Sequence, residues 1–79
     1  MEYKYNPKQF SRILQISMEN VYNAAAQWEK DKISSSKYNL KNEVGYLISD
    51  LKIAAFTHQI SEKQRDEMKD YFLSLIAGK

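Results

Sequence analysis

Residues 6–28, NPKQFSRILQISMENVYNAAAQW, decide the fold class. Asn6 is a good helix N-cap, and Pro7 suits the first helical position because proline lacks the N–H that would go unpaired there. Gln9 stands where a capping-box side chain reaches back to the cap, and Tyr5 with Phe10 has the spacing of a hydrophobic staple. From there Phe10, Ile13, Leu14, Ser17, Val21, Ala24, Ala25 and Trp28 follow one helical stripe. Ala24–Ala26 are the strongest helix formers available. The spacing predicts a first helix over 7–30.

Working outward, residues 31–38 read as a basic, Ser-rich loop, since serines compete for backbone hydrogen bonds outside helices. Asn39 or Asn42 then caps a second helix over 40–59, with Leu40, Val44, Leu47, Leu51, Ala54 and His58 on its stripe. Ser61-Glu62-Lys63-Gln64 is a capping box for a third helix over 62–77, apolar at Met68, Tyr71, Phe72, Leu75 and Ile76. Gly78 is a fitting stop. No period-2 strand pattern competes, and no internal repeat is visible. The expectation is a single all-α domain over 1–79, a small bundle of three main helices.

The chain has 79 residues, a formal net charge of +2, no cysteine and 43% hydrophobic residues. A chain this short hides only about 60% of its unfolded surface, so it gains from a partner. Disulfides, thiolate metal sites and Cys nucleophiles are excluded. No apolar run approaches the roughly 18 residues of a membrane span, and Met1–Phe10 lacks the apolar core of a signal peptide. The setting expected is cytoplasmic, away from the membrane.

Catalysis has little to work with. His58, the sole histidine, shares a stripe with Leu51 and Ala54, which reads as a satisfied, half-buried structural residue. A general base would need an orienting partner and a nucleophile beside it. One histidine and scattered carboxylates do not make a metal site, and no Gly-rich loop precedes a helix. The expectation is a non-enzymatic protein without cofactor, metal or small-molecule substrate.

Two features call for a partner. At about 1.5 Å per residue, the first helix would run about 36 Å, against about 28 Å and about 24 Å for the others. The middle helix also carries Tyr46, Ile53 and Phe56 opposite Leu47 and Leu51, and a helix apolar nearly all round is buried on two sides. A second copy or another protein is expected to cover Tyr46, Ile53 and Phe56, with Tyr22 and Trp28 as further aromatic anchors. The function expected is control of a partner protein, as regulator or inhibitor, through an apolar helical surface.

Gln9–Trp28 also resembles a helix-turn-helix unit of bacterial and phage regulators. Phe10, Ser11 and Leu14 match the first helix's buried positions, Gln15-Ile16-Ser17 the turn, and Val21 and Ala24 the anchors of the second helix. Ile16 lies off the stripe, where an unbroken helix leaves it exposed and a turn points it inward. The resemblance implies a DNA-binding regulator that presents Met18, Asn20, Asn23 and Gln27 to the groove, since Asn and Gln read adenine edges. Lys30, Lys32 and Lys37 would then attract phosphates without regard to sequence. The stretch from Leu47 to Ile76 is similar to the closing hairpin of bacteriocin-immunity bundles, which have four helices.

Overall fold

The computed structural model describes residues 3–77. A single 3-10 turn, Pro7–Gln9, precedes three α-helices: α1 (Arg12–Asp31), α2 (Ser34–Phe56) and α3 (Glu62–Ile76). The bundle is all-α, with no strand among the described residues.

The Asn6-Pro7 signal starts a turn rather than α1. The Asn6 side chain accepts the Lys8 N–H at 3.0 Å, and the Phe10 N–H closes on the Pro7 carbonyl at 3.1 Å. Phe10 and Ser11 are then extended, with ψ 173° and 160°. The staple does form, Tyr5 meeting Phe10 edge-on at 6.3 Å. Leaving the helix axis lets this aromatic segment reach Tyr71 and Phe72 of α3.

The break near Gln15–Ser17 that the helix-turn-helix resemblance implies is not there, and α1 runs unbroken through it. The Gln15 N–H donates to the Ser11 carbonyl at 2.8 Å, and no glycine relieves the backbone there. Ile16 is therefore exposed.

The Ser-rich loop of 31–38 is also corrected. Only Lys32 and Ile33 link α1 to α2, and Ser34–Ser36 form the first turn of α2. Lys32 is left-handed at φ 54°, and its N–H donates to the Trp28 carbonyl at 2.9 Å. Asp31 supplies what the sequence pattern did not reveal. Its carboxylate accepts the Ile33 N–H at 3.2 Å, the Ser36 hydroxyl at 2.8 Å and the Gln27 amide at 2.6 Å. With the Ile33 N–H just ahead of α2 and the Ser36 hydroxyl both bonded to one carboxylate, Ser36 does not compete for the helix backbone. Neither Asn39 nor Asn42 caps α2, which is the longest helix.

α2 ends at Phe56 rather than near residue 59. The Thr57 hydroxyl donates to the Ile53 carbonyl at 2.9 Å, and His58 turns left-handed at φ 64°. The His58 and Gln59 N–H groups close the end on Ala55 and Ala54 at 3.1 and 2.8 Å. His58 is exposed, not half-buried. The predicted cap of α3 is present, Ser61 Oγ accepting the Gln64 N–H at 3.0 Å.

The core gathers Leu14, Met18 and Val21 of α1, Leu40, Val44, Leu47 and Leu51 of α2, and Met68 and Phe72 of α3. α1 and α2 pack antiparallel, their register marked by the Ser17 hydroxyl donating to the Asp50 carboxylate. The N-terminal arm bridges α1 and α3. Tyr3 stacks on Tyr22 with centroids 4.0 Å apart, and Tyr5 meets Tyr71 edge-on at 5.4 Å and Phe72 at 6.0 Å. The Tyr22 hydroxyl donates to the Tyr5 carbonyl at 2.8 Å, and the Lys4 N–H donates to the Tyr71 hydroxyl at 2.9 Å. Burial, more than its neighbouring tyrosines, pushes the Tyr22 phenol well above its ordinary range. The described chain measures 37 × 19 × 18 Å.

Candidate functional site

The outer side of α2 is the candidate site. Its inner side buries Leu40, Val44, Leu47, Leu51, Ala54 and Ala55. On the opposite side, Asn39, Asn42, Tyr46, Ser49, Ile53 and Phe56 recur at alternating spacings of three and four, so they form one stripe along the helix. All six are exposed: Tyr46 by 67%, Ile53 by 61% and Phe56 by 85%. None carries a charge. Glu43 and Asp50 border the stripe on the α1 side, and Lys41 and Lys52 border it on the other, as their positions on the helical wheel require.

α1 adds to this surface. Ser17 is tied to Asp50, so Ile13, one turn earlier on α1, comes level with the α2 turn that holds Ile53. Ile13 is 67% exposed and Ile16 46%. The sequence reading placed Ile13 in the core stripe. It sits on that stripe's edge, one residue into α1, and is left exposed. A groove of about 860 Å³ lies on the lysine side, between α2 and α3, with Leu51, Ala55 and Ile60 lining it. Phe56, Lys52, Arg65 and Lys69 line it as well.

Two expected anchors are elsewhere. Tyr22 is buried and committed to the arm, because its ring is sandwiched near Tyr3 and Phe72. Trp28 is half-buried, with the ammonium groups of Lys32 and Lys37 over its ring at 4.9 and 5.5 Å. Lys32 comes from the short link between α1 and α2 and Lys37 from the first turns of α2, a stretch expected to be a long loop. The Trp28 indole N–H is buried without a partner.

Of the residues named for DNA contact, Met18 is corrected outright: it is fully buried at the centre of the core. With α1 continuous, Met18 lies on the same face as Leu14, Val21 and Ala25, so it cannot turn outward. Asn20, Asn23, Gln27, Lys30, Lys32 and Lys37 are exposed. Gln27 is bonded to Asp31 and the two lysines rest on Trp28. The helix-turn-helix geometry implied by the resemblance is absent.

Among the described residues, no group of three or more His, Asp or Glu side chains is placed to hold a metal ion. No helix among the described residues is long and apolar enough to cross a membrane. No family model matches the chain, and neither a curated protein nor a solved structure matches it significantly.

Proposed function

We propose that the protein acts without catalysis, by binding another polypeptide through the outer stripe of α2. The observation that supports this reading is Phe56, 85% exposed, in line with Ile53 and Tyr46 on an uncharged stripe opposite a fully closed core. Contiguous apolar surface of this kind marks interaction sites, and aromatic side chains at the centre of an interface carry most of its energy. Holding a partner on this face is how a chain of this size would regulate or inhibit it.

The test is Phe56→Asp beside Tyr46→Lys, followed by circular dichroism and by sedimentation with whatever the wild type binds. Both side chains are mostly in solvent, so helix content and melting temperature stay close to wild type while association is lost. Association that survives both substitutions removes the reading. Global unfolding of both variants would assign the two residues to the chain's own core instead.

A further inference from the structure

We propose that the polypeptide covering α2 is a second copy of this chain, with the two α2 helices parallel and in register about a two-fold axis that runs along them. This rests on the reading above that the α2 stripe binds protein. An interface between identical copies must be complementary to itself; two properties of the stripe meet that condition in one orientation only, and a third supplies the area.

The first is the gradient along the stripe. Its N-terminal end is polar, with Asn39 and Asn42, and its C-terminal end is apolar, with Ile53 and Phe56. Antiparallel packing in the three-four spacing would set Asn39 against Phe56 and Asn42 against Ile53, leaving buried amides facing hydrocarbon. Parallel packing sets each residue beside its own counterpart. The amides can then donate to and accept from one another, as a polar residue in the seam of a coiled coil does when it fixes register.

The second is charge. An antiparallel two-fold makes each border meet its own kind, so Glu43 faces Asp50 and Lys41 faces Lys52, each pair twice. A parallel two-fold exchanges the borders, and the lysine side of each copy meets the acidic side of the other. Like charges brought together in this way cost energy and opposite ones steer the pairing.

The third is area. Tyr46, Ile53 and Phe56 of the stripe, and Tyr38 one helical turn before Asn42, are 61–85% exposed. At about 200 Å² for a large side chain, they present roughly 550 Å². That is most of the roughly 800 Å² per partner of a standard interface, and Asn39, Asn42 and Ser49 extend it.

The chain lacks cysteine, so single-cysteine variants report orientation cleanly. The experiment is sedimentation equilibrium of the full chain from micromolar to submillimolar concentration. Phe56→Asp is run alongside, and Asn42→Cys and Ser49→Cys are oxidised separately. Expected are a wild-type dimer, a dissociation constant raised about a hundredfold or more by Phe56→Asp, and a disulfide-linked dimer from each cysteine variant. In the antiparallel arrangement two residues at position 42 would lie about 16 Å apart along the axis, beyond the roughly 7 Å a disulfide spans. A linked dimer from Ser49→Cys but not from Asn42→Cys therefore overturns the parallel orientation. A wild type monomeric throughout overturns self-pairing and leaves the binding face to a foreign partner. A dimer indifferent to Phe56→Asp overturns self-pairing through this stripe and likewise leaves the face to a foreign partner, which the paired Phe56→Asp and Tyr46→Lys test then decides.

Discussion

Gly45 within α2 and His58 just beyond its end are two residues whose local conformation argues against their identity. Gly45 sits mid-helix, and a Cβ built there meets nothing within 4 Å. Glycine loses more backbone entropy than alanine on entering a helix, so Gly45→Ala raises the stability of the monomer by about 0.5–1 kcal/mol. His58 has the opposite problem. It carries a Cβ at φ 64°, where only glycine is at ease. His58→Gly is expected to stabilise by about 0.5–1 kcal/mol, with the same urea titration reading both variants. A loss of stability in His58→Gly would mean that the imidazole makes a contact that offsets the strain. The sequence shows a histidine on the α2 stripe, but not that the helix ends before it. That end is set by the Thr57 hydroxyl and the paired N–H bonds to Ala54 and Ala55, a short-range choice with no distinctive residue pattern.

Elements begin and end where side chains satisfy their free backbone groups, and here these side chains differ in how visible they are. Ser61 is adjacent in sequence to the helix it caps, so α3 was legible from its first turn. Asp31 lies at the end of α1 and ties down the Ile33 N–H just ahead of α2, so its part in starting α2 is hidden inside another element. The Gln27 amide first, then the Ser36 hydroxyl, holds the Asp31 carboxyl below its ordinary value of 3.8. A depressed folded-state value means that the contribution is present above 3.8 and is lost as pH falls through the folded value. The α1–α2 link should therefore loosen in acid. Hydrogen-exchange protection at Ile33–Lys37, measured against the intrinsic rate at each pH, is expected to fall below pH 3.8, and Asp31→Asn should flatten that acid response. An acid response identical in the variant would assign it to other carboxylates.

Across the whole molecule, the arm matters more than its length suggests, because it is what ties α3 to α1. Tyr22→Phe removes the 2.8 Å bond to the Tyr5 carbonyl and is expected to cost about 1 kcal/mol. The raised Tyr22 value also makes the bundle sensitive to alkali: unfolded tyrosines ionise near 10.0 while the buried phenol resists. Stability therefore falls as pH rises past that point, and less steeply in Tyr22→Phe. Urea midpoints at neutral and alkaline pH test both statements; equal alkaline slopes would refute the second. The sequence by itself determined the helical class, the three helices, most of the core and the apolar set at Tyr46, Ile53 and Phe56. Each of these follows from residues three or four apart on one helix. Only the tertiary structure decided that Tyr22 is locked under the arm, that Met18 faces inward, that Trp28 lies beneath Lys32 and Lys37, and that Ile13 is left uncovered. Those facts depend on surface exchanged between elements far apart in the chain, and periodicity along one helix carries no record of which neighbour will meet its edge.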